Sequence, residues 1–190
     1  GIGYKGLTAS AGRTSLAATT YQNPEYERFD LIGLNYRMNQ ITAAIGLAQL
    51  ERIDFLVNRR MKIGEMFLKA IKNCEWLISQ EIPKYSNHSY YTFGVRYLGD
   101  SKKGISWKEF YKSYKEMGGD GFYACWKPPY LEPSLKGKKM GNQTFVEGLC
   151  PIAEEFQKNL MVFKTNYRDL KEAEEKTLIL SKLIDKIGRN

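Results

Sequence analysis

Gly33-Leu34-Asn35-Tyr36-Arg37-Met38-Asn39-Gln40 runs straight into Ile41-Thr42-Ala43-Ala44-Ile45-Gly46-Leu47-Ala48-Gln49-Leu50, and this junction decides the fold. A loop presenting Asn, Tyr and Arg enters a helix, with Asn39 placed as its N-cap. The first-turn N–H groups of a helix lack partners, and its dipole favours negative charge there. Asn35 and Arg37, just ahead of such an end, read as donors to a phosphate. Apolar residues then recur at Ile53, Leu56, Ile63, Met66, Phe67, Ala70 and Ile71, in steps of three or four or their sums. Unbroken, this predicts one connecting helix over 39–73, roughly 50 Å long at about 1.5 Å per residue. Gly46 in its interior costs roughly 1 kcal/mol relative to Ala. Beside Ala43-Ala44 it predicts close packing on another backbone.

Upstream, residues 1–30 are rich in Gly, Ala, Ser and Thr and show no sustained period, which suits a segment draped over another domain or subunit. Gly1-Ile2-Gly3-Tyr4-Lys5 has no initiator Met and no signal-peptide pattern, so the chain is expected to begin mid-protein. Residues 1–38 are therefore assigned to an interface and active-site segment of a larger domain.

Downstream, 74–190 reads as a small α+β domain. His88 to Leu98 is dense in aromatic and β-branched residues and predicts a strand, followed by a turn at Gly99-Asp100-Ser101. Ser106 and Glu109 form a capping box for a helix over Trp107–Met117, closed by Gly118-Gly119. A short strand is expected within Gly121 to Trp126, and irregular chain across Lys127-Pro128-Pro129-Tyr130-Leu131-Glu132-Pro133 and on through 134–149. Pro151 starts a helix through Asn159, Met161–Thr165 is a strand, and Asp169 opens the last helix. The expected architecture is a long helix followed by a small, mostly antiparallel sheet with helices packed on one face.

Composition excludes several classes. No run of about 18 apolar residues exists, so no membrane span is expected. Cys74, Cys125 and Cys150 lie far apart without metal-ligand spacing, which points to isolated reduced thiols, a cytoplasmic setting and no metal. The net charge of +8 is scattered apart from Lys136, Lys138 and Lys139, and no nucleic-acid-binding signature accompanies it. An anionic small molecule fits it better. His88 is the only histidine and reads as structural.

The opening stretch resembles the G-x-N-Y-R-M … A-A-x-G-x-A-Q-L segment of the DegT/DnrJ/EryC1/StrS aminotransferases. Three further stretches are similar to that family in the same order: Asn87-His88-Ser89-Tyr90-Tyr91-Thr92-Phe93, Trp126-Lys127-Pro128-Pro129-Tyr130-Leu131-Glu132-Pro133 and Cys150-Pro151-Ile152-Ala153-Glu154-Glu155. The resemblance spans about residues 28–187. It implies a fold-type I homodimer using pyridoxal 5'-phosphate (PLP), with active sites shared between subunits. It implies that Asn35 reaches the PLP phosphate of the neighbouring subunit and that Arg37 contacts that phosphate or an anionic part of the substrate. Tyr90, Tyr91, Trp126 and Tyr130 become candidates for the substrate pocket, although adjacent strand residues face opposite ways and only one of the two tyrosines should enter it.

The resemblance also implies what is missing. The family's Schiff-base lysine precedes a Gly-Glu-Gly-Gly-like run; Lys5-Gly6-Leu7-Thr8 is the nearest imitation and lacks that context. No catalytic residue is therefore assigned to this chain, which is expected to be the C-terminal part of the enzyme and inactive alone. The implied reaction moves an amino group from glutamate or glutamine to a nucleotide-linked keto-sugar. The alternatives are a cyclitol (scyllo-inosose-type) aminotransferase and a non-catalytic dimerisation or ligand-binding module.

Overall fold

The structure is a computed structural model describing Ile2–Gly3, Leu31–Ile32 and residues 38–189. Two compact units divide the chain, residues 1–51 and 52–190. In the first, strand β1 (Ile2–Gly3) pairs antiparallel with β2 (Leu31–Ile32), Ile2 opposite Ile32. Helix α1 spans Gln40–Leu50, and Asn39 caps it as expected, its side-chain oxygen accepting the Thr42 N–H at 2.8 Å. Ile41, Ile45, Leu47 and Leu50 are all exposed. Among the described residues nothing lies within 4 Å of a Cβ placed on Gly46, so this unit contains no account of that glycine.

The single helix expected over 39–73 is instead two, because α2 begins anew at Ile53 and runs to Ala70. Arg52 leaves helical geometry with φ −112° and ψ 5°. Neither Pro nor Gly stands at 51–52, so the usual sequence signs of a break are missing. Energetically the two helices differ: α1 has no buried residue, whereas α2 buries Ile63, Gly64, Phe67 and Ala70. The compact second unit accordingly starts at Arg52 and includes α2.

That unit holds a four-stranded antiparallel sheet in the order β3 (Leu77–Ser79), β4 (Thr92–Tyr97), β8 (Leu160–Lys164), β5 (Tyr123–Ala124). Alternation along β4 turns Phe93, Val95 and Tyr97 to one face, and along β8 it does the same for Met161 and Phe163. Phe93 pairs with Phe163 in register, and both rings meet Phe67 of α2 at 5.1 and 5.2 Å between centroids. Helix α3 (Gly99–Lys103) replaces the expected turn after β4. Helix α4 (Trp107–Glu116) adds Phe110 and Tyr114 to the core, and α6 (Leu170–Ile187) adds Ala173, Leu180, Leu183 and Ile184.

Local signals explain the helix starts. The Ser106 hydroxyl and Glu109 carboxylate complete the capping box at α4. The Asp169 carboxylate accepts the Lys171 N–H at the start of α6. Pro151 occupies the first turn of α5 (Pro151–Gln157). A 3-10 turn at Pro129–Leu131 and a small hairpin, β6 (Lys139–Met140) with β7 (Gln143–Thr144), interrupt the stretch expected to be irregular. Helix α5 lies towards the opposite sheet face, where the Arg96 guanidinium donates to Glu155 at 3.0 Å and stacks 4.4 Å from the Phe156 ring. The α+β class and the antiparallel sheet with its main helices on one face agree with the sequence reading.

Candidate functional site

Where β4 begins and β8 ends, a cavity of about 490 Å³ opens. Arg60 of α2, Tyr91 and Thr92, Tyr123 of β5, Lys164 of β8, the Asn166-Tyr167-Arg168 connection and Glu172 of α6 line it. Every element around it belongs to the second unit.

Its walls are held from behind. Tyr90 adopts a left-handed backbone, φ +48°, which a bulky residue takes only when its surroundings force it. The Tyr90 N–H donates to His88 Nδ1 at 3.0 Å, and its carbonyl accepts from the Thr165 hydroxyl at 2.5 Å. The Tyr90 ring is buried against Gly64. The next residue, Tyr91, is 77% exposed and presents its ring to the cavity. Arg60 Nη1 donates to the Tyr91 carbonyl at 2.6 Å and to Thr165 Oγ1 at 3.1 Å, while its guanidinium carbon sits 5.2 Å from the Tyr91 ring centre.

Lys164 is fixed differently. Its ammonium lies 2.7 Å from Asp120 Oδ2 and 4.4 Å from the Tyr167 ring centre. Lys176 flanks the other Asp120 oxygen at 3.5 Å. Burial alone would raise the Asp120 carboxyl, but hydrogen bonds from Lys164 and Tyr167 and the two ammonium charges hold it below the usual carboxylate range. Burial and the hydrogen bond to Asp120 push the Tyr167 hydroxyl far above its ordinary value. The folded state therefore favours ionised Asp120, so this stabilisation is present above about pH 4 and is lost as pH falls through the depressed folded value. Asp120→Asn should lower stability at neutral pH by about 1 kcal/mol, modest because the group is partly solvated. In thermal melts across pH, the gap to the native chain should close on acidification; a gap that widens would contradict the network.

The expected site residues fall in separate places. Asn35 and Arg37 lie outside the described residues. Of the tyrosine pair, Tyr91 faces the cavity while Tyr90 packs in the core, tilted against His88 at 4.4 Å and stacked with Phe93 at 6.2 Å. Trp126 is 90% exposed, and neither it nor Tyr130 lines the cavity. The Tyr130 hydroxyl donates to Glu154 Oε1 at 2.5 Å, and the Gly148 N–H donates to the same carboxylate, fastening the long loop to α5. Desolvation and the Glu154 charge push Tyr130 up to about 12, and the hydrogen bonds from Tyr130 and Gly148 hold Glu154 low. All three cysteines are free, with Cys74 buried and its thiol raised by that burial. Among the described residues no cluster of metal-ligating side chains occurs, and no helix is long and apolar enough to cross a membrane.

Arg60, Asp120, Tyr123, Lys164, Tyr167 and Arg168 were not anticipated from sequence. A sequence signal exists for the last two alone: Asn-Tyr-Arg at 35–37 recurs at 166–168, directly ahead of the Asp169 cap.

Comparison with known proteins supplies the context. The sequence pattern of the DegT/DnrJ/EryC1/StrS aminotransferase family matches residues 9–175. GDP-perosamine synthase of Escherichia coli O157:H7 is 50% identical over 44 residues, which are 23% of this chain and 12% of that protein. A DegT DnrJ EryC1 StrS aminotransferase of Brucella abortus superposes with TM-score 0.62 at 18% identity, over 90% of this chain and 40% of that one. Spr1654 of Streptococcus pneumoniae, solved in its PMP form, gives 0.60 at 20% identity, over 86% and 39%. The chain thus spans well under half the length of these relatives.

Proposed function

Because the chain belongs to the DegT/DnrJ/EryC1/StrS aminotransferase family, we propose that it forms the C-terminal part of a PLP-dependent enzyme that aminates a nucleotide-linked keto-sugar. The observation that carries this reading is the family match over 9–175, joined by the similarity to GDP-perosamine synthases. When bound, PLP carries the amino group from glutamate or glutamine to the sugar carbonyl.

Fitness for that cofactor can be judged from the donors present. An amide and a guanidinium at Asn35 and Arg37 suit its phosphate, contributed across a homodimer. The exposed apolar residues of α1, Ile41, Ile45, Leu47 and Leu50, together with Gly46, support a subunit contact just behind that loop. Lys164 does not suit the role of covalent anchor. Its Nζ is already engaged by Asp120 at 2.7 Å and the Tyr167 ring at 4.4 Å. Lys5-Gly6-Leu7-Thr8 lacks the Gly-rich context that the family's anchoring lysine has, so that lysine is assigned to a segment preceding this chain, which would be inactive without it.

The test uses the full-length protein. Asn35→Ala should weaken PLP retention after gel filtration by about tenfold, the scale of one charge-assisted hydrogen bond. Undiminished retention and an unchanged dimer would make the loop mere scaffold. Amination of a keto-cyclitol in preference to a nucleotide-linked keto-sugar would overturn the substrate assignment.

A further inference from the structure

Asn166-Tyr167-Arg168 repeats, ahead of α6, the tripeptide read above as an anion-holding loop, and here the surroundings are described. We infer that the cavity at Tyr91 binds the phosphoryl oxygens of a diphosphate, the linker of a nucleotide-sugar, through Arg60, Lys164 and Arg168. The choice of a nucleotide rests on the function proposed above; the phosphoryl chemistry rests on the cavity itself.

Charge balance comes first. Three cations line the cavity, and Glu172 is the one carboxylate among its lining residues. Asp120 stands behind Lys164, and its charge is already divided between Lys164 and Lys176 at 2.7 and 3.5 Å. An anion entering the cavity therefore meets net positive charge.

Donor availability comes next. Arg168 and Asn166 are exposed and make no hydrogen bond or ion pair among the described residues. Arg60 commits Nη1 to Tyr91 and Thr165, which leaves its Nη2 and Nε without a partner among the described residues. A carboxylate is satisfied by one guanidinium fork. Three cations from α2, β8 and the β8–α6 connection suit the more numerous oxygens of a diphosphate.

Preorganisation and size agree. Arg60 is anchored by two hydrogen bonds, Lys164 by Asp120 and the Tyr167 ring, and Tyr91 by the strained peptide at Tyr90. At about 490 Å³ the cavity exceeds what a lone phosphate needs and falls in the range of small-molecule sites. Tyr91 and Tyr123, 77% and 69% exposed, offer flat faces on which a planar base can stack.

Isothermal titration of the 190-residue chain decides it, with pyrophosphate, GDP, guanosine and glutamate as probes. Pyrophosphate and GDP should saturate, GDP more tightly, and guanosine and glutamate should not. Arg168→Ala should weaken pyrophosphate by about tenfold, and Tyr123→Ala should weaken GDP while sparing pyrophosphate. Lys112→Ala, the same charge loss on exposed α4 surface, should change affinity by less than about twofold. Arg168 is exposed and makes no hydrogen bond or ion pair among the described residues, so its variant should melt like the native chain. Absence of saturable pyrophosphate binding, unchanged affinity in Arg168→Ala, or saturation by glutamate alone would overturn the assignment. Arg168-dependent pyrophosphate binding in a protein whose full-length form fails to transaminate would leave the cavity standing and remove the function. Transamination without pyrophosphate binding would do the reverse.

Discussion

Trp76→Ala is expected to cost about 3–5 kcal/mol, a large part of the stability of a domain this size. Trp76 is wholly buried in the connection between α2 and β3. Its indole meets Phe110 of α4 edge-on at 5.5 Å and Tyr97 of β4 at 6.0 Å, so one ring joins a helix to the sheet. Its Nε1–H donates to the Gly188 carbonyl at 2.9 Å, which ties the end of α6 to the same point. Arg189 strengthens that tie by donating to the carbonyls of Ala70 and Lys72 at the end of α2. Truncation would leave a large cavity and an unpaired carbonyl together. Trp76→Phe should recover most of the packing and forfeit about 1 kcal/mol for the hydrogen bond. Urea unfolding of both variants measures the difference. A loss below about 1.5 kcal/mol for the alanine variant would mean that the core closes over the gap and that Trp76 is no keystone.

The legible parts of this fold are those written in local spacing. Ser106 and Glu109 announce α4 because the capping box needs only residues three apart. Asp169 and Pro151 announce α6 and α5 for the same reason. The alternation from Thr92 to Tyr97 declares a strand with one buried face. The break at Glu51-Arg52 is not legible, because no Pro or Gly marks it and the apolar period passes through it undisturbed. Leu77–Ser79 is too short to carry a period and owes its strand geometry to β4, whereas Tyr123–Ala124 falls within the short strand expected over Gly121 to Trp126. The cavity is a tertiary fact, since Arg60, Tyr91 and the Lys164–Arg168 segment converge from three distant parts of the chain. Tyr91 was picked out by resemblance, but its orientation depends on a left-handed Tyr90 that neither composition nor spacing reveals. Asn35 and Arg37, the residues most specific to the family, lie outside the described part.

Gly64→Ala is the second large effect, and its sign depends on one neighbour. A Cβ on Gly64 would stand 2.4 Å from Cγ of Tyr90 and 2.6 Å from both Cδ atoms, closer than carbon atoms tolerate. That ring cannot swing aside cheaply. It is buried, packed against the His88 ring, and carried by a backbone pinned at its N–H by His88 and at its carbonyl by Thr165. The substitution should therefore cost about 1–3 kcal/mol despite the better helix propensity of alanine. Any shift of Tyr90 passes along the chain to Tyr91, so pyrophosphate affinity should fall in the same variant. Gly94→Ala, where nothing stands within 4 Å of the new Cβ, should be close to neutral. In a Tyr90→Ala background the obstacle is gone, and Gly64→Ala should then stabilise α2 by up to about 1 kcal/mol, the ordinary advantage of alanine over glycine in a helix. A double-mutant cycle read by urea unfolding reports this reversal directly. Equal costs in the two backgrounds would show that the Gly64–Tyr90 contact is not what holds the strained peptide, and that Tyr91 is aimed by Arg60 and Thr165 alone.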